Sequence, residues 1–223
     1  MRLIYGNNGG LFFLSTHSWR DWQKSLEFYK GVTYKARLKC ALLLWAYHVL
    51  AGNCSRRQMA DMVEKATGSR PDVSHPCSAI IAPMGDKAVV HIHDVGYWKA
   101  AGGQSYSKVK GEVEVYHLLF KKKPVKFGYS TIIDIKDDGE HISFFMPEEK
   151  DAFLGDVVKP LDDVLPALEE FHAVTGLVHG DFKPWNVRWR KDGRPHFFDF
   201  EECHAGDIHE DIEFYRSLGG LKK

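Results

Sequence analysis

Apolar positions along the chain change period repeatedly, and each change predicts a new element. A short apolar run predicts a strand over Leu11 to Leu14. Behind Ser18, Trp19, Trp22, Leu26 and Tyr29 recur at helical spacing, and the pair Ser18 and Asp21 resembles a capping box, so a helix is expected over 19–29. Further helices are expected over 34–51 and 56–67. The stretch Gly68-Ser69-Arg70-Pro71-Asp72-Val73-Ser74-His75-Pro76 has a linker's density of turn formers and predicts a boundary near residue 76.

Beyond it the period shortens. Strands are expected over 78–81, 87–93 and 96–100, the first two joined through Pro83-Met84-Gly85-Asp86, which makes an antiparallel meander. After Gly102-Gly103, the stripe Val109, Val113, Tyr116, Leu119 and Phe120 predicts a helix whose polar face carries Lys110, Glu114, His117 and Lys121. Glu112 falls inside the apolar stripe, where a carboxylate needs a partner, and Lys99 in the preceding strand can supply it. Strands over about 128–136 and 141–146 flank the turn Asp137-Asp138-Gly139, and one more helix is expected over 161–175.

Composition narrows the function classes. The chain has 223 residues, 44% of them hydrophobic and 13% aromatic, which is enough to build an ordered core. Thirty basic residues balance thirty acidic ones, so the electrostatic footprint of a general nucleic-acid binder is missing and no nucleic-acid partner is expected. Cys40, Cys54, Cys77 and Cys203 are scattered without a CxxC pair, which suits a reducing cytoplasm and suggests neither a disulfide framework nor a thiolate zinc site. The N-terminal residues lack the pattern of a secretory signal, and the apolar run Ala41 to Leu50 is shorter than the ~20 residues that span a bilayer. Lys30, Lys35, Arg37 and Lys39 precede that run and leave a membrane-surface contact open, although a buried helix is the ordinary reading.

The strongest chemical signal is His179-Gly180-Asp181-Phe182-Lys183-Pro184-Trp185-Asn186, followed by Asp199-Phe200-Glu201. It matches the catalytic-loop pattern H-x-D-x-x-x-x-N with a downstream metal-binding Asp. Between them Asp192-Gly193 predicts a two-residue hairpin turn, pairing Lys191 with Arg194, Trp189 with His196, and finally Asn186 with Asp199. Two oxygen ligands would then meet at the open end of the hairpin, as a cation bridging nucleotide phosphates requires. Asp181 would accept or orient the proton of an attacking hydroxyl, with His179 of the same loop as a second catalytic candidate. A strand Lys paired to a helix Glu, here Lys99 and Glu112, is the phosphate-positioning pair of kinases.

On these residues, the segment from about 78 to 215 resembles the aminoglycoside phosphotransferase and choline kinase superfamily, which shares the protein-kinase-like fold. His-Gly-Asp is more like these small-molecule kinases than like protein kinases, which usually carry Arg in the middle position. The resemblance implies ATP and Mg²⁺ as cofactors and a small-molecule hydroxyl as acceptor. It implies Asp181 as base, Asn186 and Asp199 as metal ligands, Lys99 and Glu112 at the phosphates, Gly85 at the first hairpin and Met146 at the hinge. Gly206 to Ile212 is similar to the family's helix start after the metal Asp, with Asp211 bracing the catalytic loop. Asp181-Phe182-Lys183-Pro184-Trp185-Asn186 is also similar to phosphotransferases associated with bacterial surface-polysaccharide synthesis, which points to a sugar or glycolipid acceptor.

The expected fold is therefore α+β, a kinase-like two-lobed fold with a short C-terminal lobe and a helical N-terminal extension. Its divisions would be 1–76, 77–146 and 147–223. No G-x-G-x-x-G loop is present, and the acceptor pocket is unassigned; residues 34–51, with Arg37 and Lys39, are expected to help wall it, in the same chain or from a neighbouring subunit of a homo-oligomer. A nucleotide-binding pseudoenzyme and a metal-dependent hydrolase using His179, Asp181 and Asp199 remain open alternatives. His91 and His93 are expected to be ordinary strand histidines, and Lys121-Lys122-Lys123 with Lys126 reads equally well as a solvated turn or as a contact for an anionic partner.

Overall fold

The computed structural model of the chain describes residues 1–5, 10–15, 18–28, 52–149, 153–154 and 157–219. The helix expected over 34–51, and with it Arg37 and Lys39, lies outside the described residues. By backbone proximity the chain divides into two compact units, Met1–Tyr106 with Ile133–Glu148, and Ser107–Ile132 with Glu149–Lys223.

The first unit is built on one eight-stranded sheet in the order β3-β1-β2-β4-β5-β6-β9-β8. Its strands are β1 (Arg2–Tyr5), β2 (Leu11–Leu14), β3 (Gly52–Asn53), β4 (Cys77–Ile81), β5 (Lys87–Ile92), β6 (Gly96–Ala101), β8 (Ile133–Asp137) and β9 (Ile142–Pro147). The meander β4-β5-β6 falls within a residue or so of its expected bounds, because alternating small and branched side chains there have both a core to fill and Gly or Pro turns to end on. The boundary near residue 76 does not divide this sheet. Leu11, Phe12 and Phe13 of β2 pair with Ile81, Ile80 and Ala79 of β4. Among the described residues, the first 76 positions thus add three strands as well as helices, and the short runs 2–5 and 52–53 carry too few residues to show a period.

Helix α1 (Trp19–Phe28) starts at Ser18, whose Oγ accepts from Asp21 N at 3.1 Å. Helix α2 (Arg56–Thr67) has a full capping box between Ser55 and Gln58 and stops at Gly68, which takes φ 71°. It buries Met59, Ala60, Val63 and Thr67. Met59 and Val63 pack with Phe13, Cys77, Ala79, Ile81, Val90 and Ile92 in the core of the sheet.

The second unit contains α3 (Tyr106–Lys122, from its second residue on), β7 (Gly128–Tyr129), α4 (Leu161–Thr175), β10 (Val187–Trp189), β11 (Pro195–Phe197) and α5 (Ile208–Gly219). The single strand expected over 128–136 is two. Its start, β7, pairs parallel to β11 in a three-stranded sheet, while its end, β8, is an edge of the large sheet. Gly128 permits this close approach, since a Cβ there would lie 2.9 Å from His196 Nδ1. In consequence α3, expected inside the segment 77–146, groups with the second unit.

The core of the second unit is aromatic. Phe171 of α4 stacks on Phe200 with ring centroids 5.6 Å apart, and Phe127 stacks on Phe197 at 4.8 Å. Phe182 meets Phe197 edge-on at 5.1 Å. Phe120, expected in the buried stripe of α3, is instead 66% exposed, because the stripe drifts off the core-facing side in the last turn of the helix.

Candidate active site

The loop from His179 to Asn186 is held from below by one buried carboxylate. Asp211, 1% exposed on α5, accepts from His179 N at 2.6 Å and from Gly180 N at 2.9 Å. Gly180 takes φ 76°, and a Cβ there would meet Glu202 O at 2.2 Å, so no side chain fits. Burial pushes the Asp211 carboxyl up against the pull of these two N–H bonds, and it pushes the His179 imidazole down.

His179 is fully buried, its Nε2 3.2 Å from Phe198 O and its ring among Phe171, Phe182 and Phe200. The ring expected as a second catalytic group is thus enclosed by aromatic side chains rather than presented to solvent.

Asp181 and Asn186 are brought together. Asn186 Nδ2 donates to the Asp181 carbonyl at 2.9 Å and to Asp181 Oδ2 at 3.1 Å, while Lys183 Nζ ion-pairs with Asp181 Oδ1. Asn186 therefore spends its N–H groups on Asp181, which leaves its side-chain oxygen as an acceptor.

The hairpin after Asn186 forms, but one step out of the expected register. Val187 pairs with Phe197, Arg188 with His196 and Trp189 with Pro195. Instead of a two-residue turn, Arg190 N donates to Arg194 O at 2.9 Å across a three-residue loop in which Gly193 takes φ 85°. Asp192 Oδ1 accepts from Arg194 N at 3.0 Å and closes it. Asp-Gly supports either loop, and Pro195, which has no N–H to donate, suits the longer one.

Asp199 follows the hairpin with φ 67°, a left-handed conformation that leads into a single 3₁₀ turn at Phe200–Glu202. Helix α3 lies against this turn along one face spaced four residues apart. Lys108 Nζ bonds Glu202 Oε1 at 2.6 Å, and Tyr116 meets Phe200 edge-on at 5.1 Å. Between them Glu112, 1% exposed, places a carboxylate oxygen in a group with Asp199 and Glu201 whose oxygens all lie within 4.8 Å of one another. Sequence reasoning passed over Glu201. Its signal is an acid two residues after Asp199, but only the 3₁₀ turn brings the two side chains to one side.

Of the remaining candidates, Lys99 is buried on β6, Met146 is half-buried on β9, and Gly85 turns the β4–β5 hairpin with φ 72°; all three belong to the first unit. His91 and His93 are packed. His91 stacks on Tyr97 at 4.4 Å. His93 Nε2 lies 3.0 Å from Ser78 Oγ and its Nδ1 3.2 Å from Asp21 Oδ1. That is the order of a nucleophile relay, yet Ser78 is fully buried and 2.6 Å from Ser25 Oγ, so the chain of bonds ties α1 to the sheet. Beside the loop from His179 to Asn186, an open pocket of about 400 Å³ is lined by Gly180, Glu210, Asp211, Glu213, Phe214 and Ser217.

Residues 131–214 match the family model described as the phosphotransferase enzyme family. That segment holds Asp181, Asn186, Asp199 and Asp211, and the match bears out the resemblance to the aminoglycoside phosphotransferase and kinase-like superfamily. No curated protein sequence matches the chain. Among solved structures, one described as monomeric WbdD is 15% identical over 61% of this chain and 37% of its own, with a TM-score of 0.45. Another, described as the bifunctional kinase-methyltransferase WbdD, is 15% identical over 55% of this chain and 31% of its own, with a TM-score of 0.39. The chain spans about a third of the length of these proteins. No helix among the described residues is long and apolar enough to cross a membrane.

Proposed function

We propose that this chain, which carries a phosphotransferase superfamily segment of the kinase-like class, moves the γ-phosphate of ATP to the hydroxyl of a small molecule with Mg²⁺ as cofactor. The observation that carries the reading is the clasp of Asn186 on Asp181 within a loop anchored by Asp211. It orients a carboxylate beside a spare amide oxygen, which is what hydroxyl activation next to a cation requires.

The donor set fits a hard divalent cation, since Asp199, Glu201, Glu112 and the Asn186 side chain all offer oxygen. Asp199 and Asn186 would hold it, with Glu201 as a third ligand, and the ion would neutralise charge on the phosphates. Asp181 takes the proton as the hydroxyl oxygen bonds to phosphorus and the bond to the departing diphosphate breaks. Lys99, with Glu112, Gly85 and Met146 carry nucleotide assignments that rest on the resemblance alone.

The acceptor is assigned to the sugar or glycolipid class. The pocket beside Gly180 supports this, because Phe214 offers an apolar face while Glu210 and Glu213 offer acceptors for hydroxyl donors. The test is ADP release from Mg²⁺-ATP over a panel of sugars and glycolipids, with Asp181→Asn alongside. A sugar-dependent rate that falls about 10²–10⁴-fold in the variant supports the reading. Nucleotide binding without turnover on any acceptor would favour the pseudoenzyme instead.

A further inference from the structure

Helix α3 ends in Phe120-Lys121-Lys122-Lys123 and continues as Pro124-Val125-Lys126. Phe120 is 66% and Val125 69% exposed, and the four lysines are exposed with them. Lysines at a helix C-terminus are unremarkable, since they complement its dipole. Two large apolar side chains projecting among them are not explained that way.

The loop is built to hold this arrangement. Lys123 takes φ 51° and donates its N–H to Leu119 O at 2.8 Å. The Glu170 carboxylate accepts from Val125 N at 3.1 Å and from Lys126 N at 2.6 Å, and Phe127, 1% exposed, anchors the end in the aromatic core. With its amides satisfied inside the protein, the loop presents Val125 outward in a set position and needs little further ordering on binding.

The positive charge is local, for the chain as a whole is neutral. Arg194 Nη1 reaches Val125 O at 3.5 Å, but the guanidinium is ion-paired with Asp192 at 2.7 Å, so that pair adds no net charge. The Glu170 carboxylate offsets one lysine, and the other lysines leave the loop net positive. A nucleic acid would use the lysines but has no use for Val125. An interface with an anionic headgroup layer above hydrocarbon uses both kinds of side chain.

We propose that the α3–β7 loop is a docking surface for an anionic lipid bilayer, with the lysines among the headgroups and Phe120 and Val125 inserted beneath them. The proposal does not depend on the reading of the active site. Each lysine is expected to contribute about fivefold to partitioning, and salt to weaken it.

The full chain is to be sedimented with vesicles of phosphatidylcholine plus phosphatidylglycerol, and with vesicles of phosphatidylcholine alone. Binding is expected only to the first. The triple variant K121A/K122A/K126A should lower it about a hundredfold, and F120S/V125S at least about tenfold. Circular dichroism should be unchanged in both, since every substituted side chain is exposed. K65A/K136A, on the other unit, should bind as the parent does. Failure of the parent to bind, equal binding to neutral vesicles, or insensitivity to either loop variant overturns the proposal. So does tighter binding to an RNA oligonucleotide that depends on the lysines but not on Phe120 and Val125.

Discussion

Replacing Asp211 by Ala removes the acceptor of two N–H groups, those of buried His179 and half-buried Gly180, bonded at 2.6 and 2.9 Å. Hydrogen bonds to a charged acceptor contribute roughly 1.5–3 kcal/mol each, so the gross loss is about 3–6 kcal/mol. Part is returned, because burial disfavours the carboxylate itself and pushes its pKa up. A net loss of about 2–4 kcal/mol follows, against a total stability on the order of 5–15 kcal/mol. Asp211→Asn keeps one oxygen for one N–H and turns an NH₂ toward the other, so it should fall between parent and Ala. Urea denaturation gives the global figure, and hydrogen exchange gives the local one. The amides of His179 and Gly180 should lose protection in the Ala variant while those of β4 and β5 keep theirs. A loss below about 1 kcal/mol with both loop amides still protected would refute the account, because an acceptor that matters leaves its donors exposed when it goes.

Asp199→Ala should abolish Mg²⁺-dependent nucleotide binding measured by calorimetry, with Glu201→Ala weakening it less; an unchanged metal dependence in the first variant rules out the ligand assignment. Gly180→Ala should destabilise severely, since its Cβ would press on the Glu202 backbone. Gly193→Ala has open space and only its positive φ to strain, and should cost about 1–2 kcal/mol; equal melting shifts in the two would count against the close contact at Gly180. Acid should weaken both units. Burial first, then neighbouring cations, pushes the His196 imidazole down to about 3 and the His91 imidazole down to about 4, from an ordinary 6.5. The stability each contributes is therefore complete above about pH 6.5 and lost as pH falls toward the folded value, by roughly 2 kcal/mol each at pH 5. Urea midpoints should drop between pH 7 and 5, and less so in His196→Gln; a flat profile contradicts the burial argument.

Where an element's reason for existing lies within its own residues, it could be read directly. Helix α4 appears at its expected bounds, Leu161–Thr175, because its apolar stripe and the Gly176 stop, at φ 70°, are local. The meander over β4, β5 and β6 is the same case. The Asp181 to Asn186 spacing likewise keeps the two side chains within reach of each other, and in the folded loop Asn186 Nδ2 lies 3.1 Å from Asp181 Oδ2. Elements defined by what they pair with were hidden. Strand β1 is four residues and β3 two, and both exist because a sheet edge offers them hydrogen bonds.

The order and kind of the candidate site residues, the helices with a sustained stripe, and the presence of a hairpin between Asn186 and Asp199 were all legible in the sequence alone. Tertiary structure decided the rest, through contacts between segments distant in the chain. It chose the three-residue hairpin loop over the two-residue one, because Asp-Gly accepts both and the partner strand selects the register. It divided residues 128–136 between two sheets, with Gly128 seated against His196. It buried His179 in a cage of phenylalanines drawn from α4, the loop itself and the turn after Asp199. It also gathered Glu112 from α3 with Asp199 and Glu201, because packing of Tyr116 on Phe200 sets that helix against the turn, and no spacing along the chain encodes a meeting made by packing.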